Sequence, residues 1–182
     1  GWPAKAVEAL HRRTAFEGFA APGVDLDEFG LGEILDANDY SVEVGLGELD
    51  SLVHSCTFEI VTRGGAGEPD AVISQRSALD ATGEWNARSR RLDSLLSVTD
   101  RDDRGNVAGA NLYLPNLTII VEDGRVVDRQ SHPWHVPAEV VPYKPRLSRP
   151  FGSSRISRAV MSHTDRAAAT VIRAEGTADL YG

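Results

Sequence analysis

The sequence predicts an α+β fold in which antiparallel β-hairpins are flanked by N-terminal helices and followed by a long C-terminal helix. Three observations carry this. Apolar residues recur at helical spacing at both ends of the chain, and the middle alternates apolar and polar residues in short runs bounded by turn residues. Between the middle and the last helix lies a connector with Pro133, Pro137, Pro142, Pro145 and Pro150, where lost N–H donors and restricted preceding residues favour extended backbone. We expect one domain over 1–182, helical over 1–54, β-rich over 55–131, an arm over 132–152 and a long helix over 153–180.

Each element has a local reason. Pro3 suits a first helical turn, and Ala4, Val7, Leu10 and His11 share a helical face that ends near Thr14. From Asp25 to Asp50 the chain is acidic, and two helices are expected with a break at Asn38-Asp39. Asp39 or Ser41 is placed to cap the second by accepting an orphan backbone N–H. Gly45 and Gly47 weaken that helix by about 1 kcal/mol each, unless they permit close packing against a neighbour. Thr57–Thr62 alternates as a strand, and Gly64–Gly67 forms a loop leading to Ala71–Ser74. Further strands are expected at Arg91–Asp100, Val107–Leu114, Leu117–Val121 and Arg125–Asp128. Asp123-Gly124 is a two-residue hairpin turn that sets Glu122 opposite Arg125. A short strand is expected at Ala138–Val141. Ser153 or Ser154 is expected to cap the last helix, whose apolar line is Ile156, Val160, Ala167, Val171 and Ala174.

Composition narrows the class. With 41% hydrophobic and 25% charged residues, the chain has the make-up of an ordinary globular domain. No apolar run approaches the roughly 20 residues that span a bilayer, so no membrane partner is expected. Cys56 is the single cysteine, which excludes an internal disulfide. The net charge of −8 argues against a protein that coats nucleic acid, but the charge is unevenly placed. Residues 141–175 hold seven Lys and Arg against two Asp and Glu, whereas residues 1–140 hold twelve against twenty-four. The basic segment suits an anionic surface, either nucleic-acid phosphate or an acidic face of another protein copy. Its candidate contact residues are Arg146, Arg149, Arg155 and Arg158.

No catalytic or metal-binding residues are assigned, and no cofactor is expected. In His132-Pro-Trp-His135 the intervening Pro133 denies the two imidazoles the one-turn helical register that suits ligation from one helix face. His54 and Cys56 would share a face if both lay in a strand, an arrangement more often found in cores than in catalytic dyads. Asp100, Asp102 and Asp103 are interleaved with Arg101 and Arg104, the pattern of a solvated hairpin tip. Gly64-Gly-Ala-Gly67 opens no helix and so lacks the setting of a phosphate-binding loop.

Several motifs together resemble a known family. They are Gly1-Trp-Pro-Ala-Lys-Ala6, Ser77-Ala-Leu-Asp-Ala-Thr-Gly-Glu-Trp-Asn86, Arg90-Arg-Leu-Asp-Ser-Leu-Leu-Ser97 and His132-Pro-Trp134. The run Lys144-Pro-Arg-Leu-Ser-Arg-Pro-Phe-Gly-Ser-Ser-Arg-Ile-Ser-Arg158 follows, then Val160-Met-Ser162 and a helix end at Arg173–Gly176. In this order they resemble portal proteins of tailed bacteriophages, of the SPP1 type found in actinobacterial phages and prophages. The resemblance implies an internal fragment, lacking the N-terminal start and the stem and clip, with a wing-like α+β structure. It also implies a non-enzymatic structural part of the DNA-packaging ring and head–tail connector vertex. Other portal subunits, capsid, terminase and connector proteins, and DNA phosphates would be its partners. Its place would be the virion portal vertex, or the bacterial cytoplasm during assembly. A different class remains open: a domesticated prophage remnant that binds another protein without catalysis. A small hydrolase built on His54, Cys56 or the aspartates is the third and least favoured reading.

Overall fold

The computed structural model describes the backbone of residues 1–181, the side chains of Trp2 and of residues 174–181 lying outside the description. Three helices lead: α1 (Trp2–His11), α2 (Leu31–Ala37) and α3 (Tyr40–His54). Strands β1 (Cys56–Arg63), β2 (Ala71–Ser77), β3 (Ala81–Asn86), β4 (Arg91–Arg101), β5 (Val107–Leu114), β6 (Leu117–Glu122), β7 (Arg125–Ser131) and β8 (Ala138–Pro142) follow. The chain then enters α4 (Arg158–Tyr181). The α+β expectation holds.

The strands form two antiparallel sheets, one ordered β2-β1-β8 and the other a meander β3-β4-β5-β6-β7. Alternation gives each sheet an apolar inner face, and the two faces share one core. Phe58, Ile60 and Ala138 come from the smaller sheet, and Leu92, Leu95 and Tyr113 from the larger, with Trp85, Val140 and Phe151 packed at the margin. Ile60 and Leu95 have no solvent exposure, so each contributes about 2 kcal/mol through burial.

A bulge solves a problem that the sequence poses in β4. Leu92 and Leu95 are an odd number of residues apart and would point to opposite faces of a regular strand. Leu95 pairs with Gly83 and Leu92 with Trp85, so Asp93 is the extra residue that brings both leucines inward. The Asp93 carboxylate accepts the Asn86 side-chain amide at 3.0 Å. Gly83 is needed at this crossing, because a Cβ there would lie 2.9 Å from Leu92 Cδ2 and 3.0 Å from Ser94 O.

Strand β3 lay outside the sequence expectations, since Gly83 and Glu84 interrupt its apolar alternation. The Asp123-Gly124 turn matches its expectation. Both residues have positive φ, 47° and 73°, and Glu122 stands opposite Arg125. Asp39 occupies the N-cap position of α3, but its side chain makes no capping bond.

The smaller sheet is covered on its other face by α3. Gly47 lets the helix close on β2, where a Cβ would lie 2.7 Å from Gln75 Oε1. Beside it, Tyr40 Oη and Gln75 Nε2 both donate to Glu59 Oε2, at 2.8 and 2.7 Å. Asn38, between α2 and α3, donates to Ala71 O and accepts from Ile73 N. Its amide thereby satisfies two backbone groups of edge strand β2.

The C-terminal helix differs from expectation at its start. It begins at Arg158 rather than Ser153, and Ser157, not Ser153 or Ser154, holds its N-cap through a 3.4 Å bond from Val160 N. Ser154 is engaged elsewhere: its hydroxyl donates to Val53 O at 2.5 Å and closes the end of α3. The helix runs through the Arg173–Gly176 motif to Tyr181, in line with the long helix expected to residue 180. Ala174, the last position of the expected apolar line, has its side chain outside the described residues.

Candidate interface formed by the basic arm and the long helix

The arm is held in place at the junction between α3 and β1. Helix α3 ends at His54, and Ser55 turns the chain with φ 83°. The freed carbonyls of this turn receive donors from the arm: Tyr143 N to Ser55 O at 2.8 Å and Arg155 N to Leu52 O at 2.7 Å. Ser153 N closes the loop onto Tyr143 O at 2.8 Å. Gly152 sits at the centre with φ 75°. A Cβ there would run into Tyr143 O and lie 2.7 Å from Ser55 O. Glycine is therefore required twice over, by its φ and by the backbone crossing.

This junction sets the directions of the four candidate arginines. Arg146 and Arg149 face each other across a tight turn, with Arg149 N to Arg146 O at 2.8 Å and Arg146 N to Arg149 O at 3.1 Å. At its tip Leu147 is 96% exposed. Arg155 is anchored through its backbone, and Arg158 opens α4. All four side chains are exposed. Among the described residues, none of the four guanidinium groups makes an ion pair or a hydrogen bond. A positive side chain at Arg158 also opposes the positive end of the helix dipole, so an external anion there would relieve a local repulsion.

Helix α4 has 24 residues, about 36 Å at 1.5 Å per residue. Its main packing partner is α1. An apolar hollow of about 460 Å³, lined by Ala6, Val160, His163, Thr164 and Ala167, lies between them. Met161, Val171 and Ile172 are each more than half exposed. Opposite in charge to this region is the segment 25–50, which holds nine carboxylates and no Lys or Arg.

The residues weighed for other chemistry fall into structural roles. His54 and Cys56 do not share a strand face, because His54 belongs to α3. His54 Nε2 lies 3.7 Å from Asp50 Oδ1. Cys56 is buried at the start of β1, and burial pushes its thiol up, the opposite of what an activated nucleophile needs. Asp102 closes the β4–β5 turn by accepting from Asn106 and Arg104, and the Asn106 side-chain bond foremost holds its carboxyl below the usual range. Among the described residues no group of three or more His, Cys, Asp or Glu could hold a metal ion, and no described helix is long and apolar enough to cross a membrane. His132 stacks on Trp134 with ring centroids 5.4 Å apart.

Sequence reasoning missed the junction itself. Gly152 and Ser154 read as loop and cap residues, whereas their partners lie roughly a hundred positions away. A Phe-Gly-Ser-Ser run after five prolines was the available signal.

No family model matches the chain. Over its whole length the chain is 27% identical to the portal protein of Mycobacterium phage L5 and 28% identical to the portal protein of Mycobacterium phage D29. It spans 40% of the length of each. These similarities support a phage portal fragment, in the same direction as the motifs quoted above.

Proposed function

We propose that this chain is a segment of a phage portal protein of the SPP1 type, and that it serves assembly rather than catalysis. In this reading it forms wing-like structure in a ring of identical subunits at the vertex through which DNA is packaged. Capsid, terminase and connector proteins would be neighbours of the complete ring. The observation that carries the reading is the similarity to two portal proteins along the entire chain.

The surface chemistry supplies the contact. Arg146, Arg149, Arg155 and Arg158 present unpaired positive charge, and residues 25–50 present negative charge on other elements of the same chain. Two such surfaces on one molecule are the requirement for a head-to-tail contact, which closes into a ring when the rotation permits. The apolar residues of α4 add a face that the chain itself leaves uncovered.

The test is sedimentation of the chain carrying Arg155→Glu and Arg158→Glu beside the unaltered chain, at low and high salt. Self-association that weakens with salt and is lost in the double variant supports the reading. Association indifferent to both removes the basic arm from the interface.

Those arginines also suit DNA phosphates. That reading predicts binding to duplex DNA whose affinity falls steeply with salt, with a shallower slope after Arg155 and Arg158 are replaced.

A further inference from the structure

A second site lies between the two sheets. The registers place Phe58 opposite Arg76, Ile60 opposite Ser74 and Thr62 opposite Val72 on one inner face. On the facing sheet Tyr113 stands opposite Thr118, and Thr118 opposite Gln130. Near β4 these faces are apolar and closed. Toward the edge strands β2 and β7 they part into a cleft of about 800 Å³, within the size range of small-molecule sites.

Part of the cleft wall is polar where a two-sheet core calls for apolar residues. Thr62, Ser74, Arg76, Asn111, Thr118 and Gln130 all line it. Arg76 is partly buried, and its guanidinium has neither an ion pair nor a hydrogen bond among the described residues. Its guanidinium nitrogens are not among the solvent-shielded atoms, so the charge stands on the cleft wall open to an anion that enters. The two ring nitrogens of His132, on the same wall, are shielded from solvent and also lack partners. Trp134, stacked on that imidazole, is 45% exposed and offers a flat apolar surface at the rim.

The acids on the lining do not answer Arg76. Glu68 accepts from Gly65 N within its own loop at 2.8 Å, and Asp70 is exposed.

We propose that this cleft binds a small organic oxyanion, a phosphate or carboxylate compound, with Arg76 as counter-cation and Trp134 as the platform for the body that carries the charge. The site is separate from the basic arm and does not depend on the portal reading. Asn111, Gln130 and the hydroxyls would supply the orienting hydrogen bonds, and the guanidinium the charge-assisted pair.

The experiment is calorimetric titration of the 182-residue chain with inorganic phosphate, a nucleoside monophosphate and glutarate. Saturable binding of at least one is expected, about tenfold or more weaker in Arg76→Gln, intermediate in Arg76→Lys, and tighter in Asp70→Asn. Phosphate compounds binding without glutarate identify the oxyanion as phosphate, and the reverse identifies it as carboxylate. Thermal melting of each variant shows whether it is folded. Asp70→Asn supplies the reading if Arg76→Gln does not fold. The proposal is overturned if none of the three probes saturates at millimolar concentration. It is equally overturned if a folded Arg76→Gln, or in its place Asp70→Asn, binds as the unaltered chain does.

Discussion

Helices α3 and α4 are both amphipathic, yet the chain treats them differently. One face of α3 is covered within the chain: Tyr40 reaches Glu59 and Gly47 closes on Gln75 in the smaller sheet, and Leu52 is buried near the arm. Val42 and Leu46 on the other face stay exposed. Helix α4 is longer, but Met161, Val171 and Ile172 stand mostly in solvent and the main contact is α1. Most helical stability in proteins comes from packing of the apolar face rather than from propensity. The difference therefore teaches that one face of α3 is covered within the chain, whereas Met161, Val171 and Ile172 leave an uncovered apolar stretch on α4. The proposed function assigns that stretch to contact with another copy.

The strongest way to break the comparison is at the junction that ends α3 and starts the arm. Gly152→Ala must place a side chain at positive φ against two backbone carbonyls. A loss of about 3 kcal/mol or more is expected in urea unfolding. Next is Leu52→Ala, which leaves a cavity under α3 and costs about 2–4 kcal/mol by the same measurement.

Tyr40→Phe removes the hydrogen bond to Glu59 and is expected to cost about 1 kcal/mol near neutral pH. The same group gives a pH signature. Burial first, then the Glu59 hydrogen bond and charge, raises the Tyr40 hydroxyl above its ordinary 10.0. A raised folded value means the folded state holds the proton more tightly. Its stabilising contribution is complete below pH 10.0 and is lost as pH rises above that value toward the folded pKa. Urea titrations between pH 8 and 11 should show an alkaline decline that is smaller in Tyr40→Phe.

The smallest effect on stability belongs to α4. Replacing Val171 and Ile172 with Ser is expected to change unfolding free energy by less than about 0.5 kcal/mol, while abolishing self-association. A large stability loss in that double variant would mean that α4 is packed within its own chain, and the contrast with α3 would fall.

Much of the fold was legible because its signals are local. The Asp123-Gly124 turn requires two positive φ values that these residues tolerate, so hairpin and register follow from one dipeptide. The break at Asn38-Asp39 was legible for a similar reason. Elsewhere long-range contacts decided. Strand β3 exists because Gly83 lets β4 approach, and Ser154 left the helix cap for carbonyls at the end of α3. Of the candidate site, the four arginines were readable as a charge reversal, and all four are exposed. The cleft at Arg76 was not, because inner and outer faces are defined only once the two sheets are paired.

The most direct test of the central claim is the solution mass of the unaltered chain by light scattering across a wide concentration range. The account predicts a mass that rises with concentration to a multiple of the 19.7 kDa chain. A mass of 19.7 kDa at every concentration would contradict it, since the exposed face of α4 and the basic arm would then find no partner in a second copy.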